Sequence, residues 1–128
     1  VAPSARAGQT SRENAVLVVT RFVVEPGGEA AFRADAAAAL RALAERPGWR
    51  EGRLARATDD AGRWLLLTEW ESVGAYRRAL SGYDVKLHAT PLLARAVPEP
   101  SAYEVLDPDG TSDRAADADT AGPGRSAP

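Results

Sequence analysis

The chain has no cysteine and no methionine, and it carries one histidine, His88, and one lysine, Lys86. Without cysteine there is no disulfide framework, no thiol nucleophile and no thiolate metal site. A single histidine excludes a multi-histidine metal centre within one chain. A strong charge of one sign is also missing. The formal net charge of -2 gives no reason to expect nucleic acid or an anionic membrane surface as a partner. No apolar run approaches the roughly 20 residues that span a bilayer. The opening Val1-Ala-Pro-Ser-Ala-Arg-Ala-Gly lacks the apolar stretch of a signal peptide, so a cytoplasmic location is expected. The scarcity of lysine beside abundant alanine points to a high-GC bacterial gene, and Val1 fits a GTG start codon translated literally.

With 128 residues, 45% of them hydrophobic, the chain suits one globular domain. Residues 1–13 mix Pro, Ser, Gly, Gln and Arg without apolar periodicity and read as a disordered leader. Residues 107–128 are Ala, Asp, Gly, Pro, Ser and Thr with hardly a large apolar side chain, a flexible acidic tail. That tail sets Asp107, Asp109, Asp113, Asp117 and Asp119 against Arg114 and Arg125, while the leader sets Arg6 and Arg12 against Glu13. The domain between them, residues 14–106, is formally neutral, so the acidity belongs to the tail.

Aromatics make up only 6% of the chain, and several fall in Arg63-Trp-Leu-Leu-Leu-Thr-Glu-Trp70-Glu-Ser72-Val-Gly-Ala-Tyr76. The run from Trp64 to Leu67 has no polar interruption and favours a strand. Ser72 offers a side-chain oxygen to the first amides of a helix in which Ala75, Tyr76, Ala79 and Leu80 recur at helical spacing. Side-chain alternation puts Trp64, Leu66 and Trp70 on one strand face, and the helix brings Tyr76 back over it. An aromatic-lined space between sheet and helix is therefore expected, although large aromatics also serve as plain core filling.

The other elements follow from periodicity and punctuation. Ala15–Val24 is a nearly continuous apolar strand, as expected when both faces are covered. Glu29–Arg46 is a helix with Phe32, Ala36, Ala39, Leu40 and Leu43 on one stripe. Trp49–Thr58 is a polar edge strand, Asp59–Gly62 a hairpin turn, and Tyr83–Ala89 a second helical piece. Thr90-Pro91 reads as a cap with proline at the first helical position. Pro98 and Pro100 bracket a loop before a last strand, Ser101–Leu106. The order is βαββαβ, the ferredoxin-like α+β arrangement of one antiparallel sheet with its helices on one face. Two helices leave the second face uncovered, and an apolar patch the size of a sheet is unfavourable in water. A homodimer with sheets packed face to face is expected. Parity assigns Thr20, Phe22, Leu66 and Trp70 to the helix side and Arg21 and Glu69 to the other, where those two are expected to pair within or across chains.

These residues resemble the antibiotic biosynthesis monooxygenase (ABM) domains of the dimeric α+β barrel superfamily. The resemblance rests on the strand Val16-Leu-Val-Val-Thr-Arg-Phe, the corner Arg46-Pro-Gly-Trp49 and, above all, Trp70-Glu71-Ser72 followed by Tyr76. It covers residues 14–106 and implies a cofactor-independent oxidation of polycyclic aromatic, anthrone-like compounds or quinols by O₂. In the haem-degrading branch the first-strand Asn, the helix Trp and a later His correspond here to Thr20, Ala79 and His88, so haem degradation is not expected. In the anthrone-oxidising branch the motif Trp and Tyr line the pocket and match Trp70 and Tyr76. An Asn used there falls at Leu66, and a later Arg has only Arg77, Arg78 and Arg95 as neighbours in sequence.

Such chemistry needs a dry aromatic slot, a base and donors for an oxyanion. Trp70 and Tyr76 carry donor groups on stacking rings. His88 is the side chain whose ordinary pKa, about 6.5, suits a base at neutral pH. Catalytic roles therefore fall to His88, Trp70 and Tyr76, with Thr20, Phe22, Leu66 and Tyr83 as substrate contacts, O₂ as co-substrate and no cofactor or metal. The alternatives are a non-catalytic dimer binding a small aromatic molecule, and a polyketide cyclase. A polar pocket around Trp70, Tyr76 and His88 favours the enzyme, whereas filling by Leu66, Trp64 and Phe32 favours the structural reading.

Overall fold

The computed structural model describes residues 14–109; the expected leader at 1–13 and the tail from residue 110 onward lie outside the described residues. The elements are β1 (Val16–Val23), α1 (Glu29–Ala44), β2 (Trp49–Arg56), β3 (Arg63–Trp70), α2 (Val73–Ala79), α3 (Tyr83–His88), α4 (Thr90–Leu93) and β4 (Ala102–Glu104). The sheet order is β2-β3-β1-β4, and every pairing is antiparallel. This is the ferredoxin-like order expected from the sequence, with the second crossover divided among three short helices. None of the helices among the described residues is long and apolar enough to cross a membrane.

Alternation along the central strands sorts their side chains. On β1, Val16, Val18, Thr20 and Phe22 are buried, while Leu17 and Val19 are half-buried and Arg21 and Val23 exposed. The register sets Val16 opposite Trp70, Thr20 opposite Leu66 and Phe22 opposite Trp64, so the helix-side parity is as expected. The helix α1 answers with Phe32, Ala36, Ala39 and Leu43. These residues recur at the spacing of one helical face.

The corner between α1 and β2 is pinned by Gly48. Its φ of +92° is a left-handed conformation that glycine adopts without a Cβ penalty. A Cβ there would also collide with the Ala75 side chain on α2. The Gly48 carbonyl accepts from Glu71 N–H at 2.8 Å, which ties this corner to the end of β3. Two residues later Ser72 Oγ accepts from Ala75 N–H at 3.1 Å. That bond satisfies one of the amides a helix start leaves open.

Two expectations are corrected. Thr90 does not cap the last short helix; Ala89, itself in the right-handed region, precedes it, and Pro91 sits within its first turn. The chain passes from α3 into α4 almost without leaving helical geometry, so no extended capping residue is needed. Arg21 and Glu69 do not pair in the chain. The register places Arg21 opposite Leu65 and Glu69 opposite Leu17, too far apart along the strand for contact. Arg21 instead meets Glu99 at 3.4 Å, and Arg50 meets Glu69 at 3.6 Å.

Candidate functional site

Two aromatic clusters divide the space between sheet and helices. At one end Phe32 lies 5.1 Å from Phe22 and 5.5 Å from Trp64, centroid to centroid. Arg33 and Arg56 lie over the Trp64 ring and Arg95 over Phe32, contacts that cover ring faces while keeping charge near solvent. Phe22, Leu66, Trp64 and Phe32 are all buried members of one hydrophobic core. This end is filled.

At the other end Trp70 is fully buried. It meets Trp49 edge-on at 5.4 Å and Tyr76 at 5.7 Å. Its indole N–H donates to Thr68 Oγ1 at 2.9 Å. The donor expected to face a substrate is thus committed inside the core, because β3 directs Thr68 and Trp70 to the same face two residues apart. Trp70 is the wall behind Tyr76.

Tyr76 itself reaches open space. It borders a cavity of about 250 Å³ together with Thr20, Arg21, Leu93, Glu99 and Ser101, among others. Among the described residues its hydroxyl has no hydrogen-bond partner. Burial raises its pKa above the ordinary 10.0, since desolvation penalises phenolate. At neutral pH Tyr76 is a phenol, a donor and not a base. Thr20, buried on β1, brings a second hydroxyl to the same cavity.

The cavity owes its existence to a mismatch at the edge of β1. Val19 N–H donates to the Ser101 carbonyl at 2.7 Å, and Val97 N–H donates to the Arg21 carbonyl at 2.8 Å. The two anchors on β1 are two residues apart, whereas those on the facing segment are four apart. The surplus must bow outward, as at a β-bulge. Pro98 and Pro100 suit that role because neither has an amide to offer the strand. Leu93 on α4 and Ala96 after it supply the apolar wall.

Of the residues singled out from sequence, the fold brings Thr20 and Tyr76 to one cavity, with Trp70 behind Tyr76 and Leu66 opposite Thr20 on the next strand. Phe22 belongs to the filled end and touches a different depression beside Trp64 and Arg56. His88 is not brought to Tyr76. Val85 and Ala89 take the buried positions around α3, and exposed His88 shares a shallow outer depression with Arg41, Glu45 and Asp84. Tyr83 is 77% exposed at the start of α3. Arg95 faces α1, where it meets Asp35 at 3.2 Å. Sequence reasoning missed Arg21, Glu99 and Ser101 as cavity residues; the two prolines around Glu99 were the available signal. Among the described residues no group of three or more His, Cys, Asp and Glu side chains could hold a metal ion.

Comparison with known proteins bears on this arrangement. The family model described as antibiotic biosynthesis monooxygenase matches residues 15–88. SnoaB, a cofactor-independent oxygenase from Streptomyces nogalater, is 29% identical with a TM-score of 0.64, over 73% of this chain and 95% of that one. A conserved protein from Methanosarcina mazei Go1 superposes with a TM-score of 0.65 at 16% identity, over 76% of this chain and 98% of that one. Rv0793 from Mycobacterium tuberculosis gives 0.59 at 21% identity, over 73% and 96%. The last two share the fold alone. No curated protein matches the chain at a significant level.

Proposed function

The chain belongs to the antibiotic biosynthesis monooxygenase family, and we propose that it is a cofactor-independent monooxygenase oxidising an anthrone-like polycyclic aromatic or a quinol with O₂. The observation that carries this reading is the Tyr76 phenol. Its hydroxyl has no hydrogen-bond partner among the described residues, is a neutral donor at neutral pH, and borders a cavity shared with Thr20. Similarity to a cofactor-independent oxygenase at 29% identity supports the same reading.

The reaction asks little covalent chemistry of the protein. Loss of a proton from a ring methylene flanked by aryl groups leaves a stabilised carbanion. That anion gives one electron to O₂, and recombination forms a peroxide at the same carbon. Loss of water then leaves a ketone, so one methylene and one O₂ become one carbonyl and one H₂O. Negative charge on oxygen develops throughout, and fixed O–H donors lower its energy in a site with little water. Tyr76 and Thr20 are those donors, and Glu99, the carboxylate bordering the cavity, accepts the proton. The apolar residues Leu93 and Ala96 keep the ring dry.

The open sheet face is the surface for a second copy of the chain. Leu17, Val19, Leu65 and Leu67 lie there half-buried, and face-to-face packing would complete their burial. A non-catalytic dimer that binds a small aromatic molecule is the second reading. It is favoured by the filled Phe22–Phe32–Trp64 end and by the committed Trp70 N–H.

Oxygen uptake separates the two. Purified protein without added flavin, haem or metal is given a panel of anthrones and hydroquinones beside Tyr76→Phe. Uptake above background that falls on the order of a hundredfold in the variant is the expected result for loss of an oxyanion donor. Background rates on every member would favour the binding reading.

A further inference from the structure

The cavity beside Tyr76 has one feature that an oxygen-activating aromatic slot does not require. Its lining includes one cation, Arg21, and one anion, Glu99. The pair is loose: the nitrogen–oxygen distance is 3.4 Å, and the side chains are 43% and 49% exposed. Pairs of that exposure contribute little to stability. The backbone around them is held more firmly, since Arg21 carbonyl accepts from Val97 N–H and Val19 donates to Ser101 on either side of the bow. Glu99 also donates its own N–H to the Val97 carbonyl at 2.9 Å, and prolines flank it on both sides. Glu99 thus stands on a fixed support, while the Arg21 guanidinium can leave it at small cost.

From this we infer that Arg21 is the anion-recognising residue of the cavity, and that the preferred ligand is an aromatic compound bearing an ionised oxygen group, a carboxylate or an acidic ring hydroxyl. The inference rests on reading the cavity as the aromatic slot of the proposed oxygenase and gives that slot its substrate class. Arg21 borders the same space as Thr20 and Tyr76 although it leaves β1 on the opposite face from Thr20, so the lining carries a cation as well as two hydroxyl-bearing side chains. A guanidinium grips an ionised oxygen through paired, charge-assisted bonds, and it does so better in a partly dry cavity than it grips Glu99 at the surface. Glu99 acts as a placeholder. It neutralises Arg21 in the empty protein and yields it to the incoming anion, which disfavours neutral rings by comparison.

The test is equilibrium binding to the full chain, read from quenching of protein fluorescence, and needs no turnover. Naphthoate is compared with its methyl ester, and hydroxynaphthoquinone, ionised at neutral pH, with its methyl ether. Each is titrated into wild type, Arg21→Gln and Glu99→Gln. The expected result is a preference of about tenfold or more for the anion of at least one pair, equivalent to one charge-assisted contact. Arg21→Gln should abolish that preference and leave the neutral partner's affinity unchanged. Glu99→Gln should raise the anion's affinity severalfold, a gain that a misfolded variant cannot mimic. The pair that responds names the source, carboxylate or ring hydroxyl. Binding of all four compounds without an Arg21-dependent preference overturns the inference and leaves the aromatic slot standing. Weaker anion binding in Glu99→Gln also overturns it. No binding of any compound overturns the slot itself, and the inference with it.

Discussion

The two faces of one sheet are built from the same strands and differ in what lies over them. Toward the helices, Val16, Val18, Phe22, Trp64, Leu66 and Trp70 are buried almost completely. Toward the other side, Leu17, Val19, Leu65 and Leu67 are only half-buried, Val23 is 53% exposed and Tyr103 is 43% exposed. Strand propensity is alike on both faces, since each is rich in Val and Leu. An inward residue is stabilised within the chain, whereas most outward ones remain partly in contact with water. Thr20 lies on the inward face and Arg21, one residue on, on the outward one, although both border the same cavity.

The largest expected effect exploits adjacent leucines. Leu66→Ala removes a fully buried side chain and should destabilise the fold by about 2–5 kcal/mol. Leu67→Ala, one residue on, should cost clearly less in dilute protein, where a monomer is favoured. At high concentration its cost should rise as sheet-to-sheet contact forms, because association stabilises the native state by mass action. Denaturant unfolding at two concentrations, with molecular mass measured alongside, reads both. Equal costs at every dilution would break the contrast between the faces.

A smaller effect is expected at Thr68, also on the inward face. Thr68→Val keeps the shape but leaves the Trp70 indole N–H without its acceptor in a dry interior. About 1–3 kcal/mol should be lost, the usual consequence of an orphaned buried donor, with a shift in tryptophan fluorescence. No change in either quantity would mean that water reaches Trp70.

The smallest effect is alkaline. Burial raises the Tyr76 pKa, so the unfolded chain loses this proton before the folded one does. The stability associated with the neutral phenol is complete below the unfolded value of about 10 and is lost as pH rises from there through the folded pKa. Stability of the wild type should therefore decline above that value more steeply than that of Tyr76→Phe. Parallel curves would show Tyr76 to be as solvated as a free phenol.

Much of the arrangement was readable from residues alone. Trp70, Ser72 and Tyr76 announced a strand, a cap and a helix folding back, and Tyr76 does lie against Trp70. Alternation correctly divided Thr20, Phe22, Leu66 and Trp70 from Arg21 and Glu69. What could not be read was pairing over distance. Both Arg21 and Glu69 point outward as expected, yet the register separates them, and each meets a partner from another segment. His88 was attractive for its chemistry, but the roll of α3 gives the inward positions to Val85 and Ala89. The donor of Trp70 was real and its direction was not. Thr68 lies close enough to take it.

Local order is what the chain determined by itself. Apolar period, a serine before a helix, and glycine at a left-handed corner each act over a few residues and need no distant partner. Tertiary structure decided the register of β1 against β3 and the mismatch between Val97–Ser101 and Val19–Arg21, and with them the cavity that gathers Thr20, Arg21, Tyr76 and Glu99. The physical reason is that a cavity is what remains when segments far apart in sequence are anchored at unequal spacings. No stretch of residues contains that difference until both anchors are made.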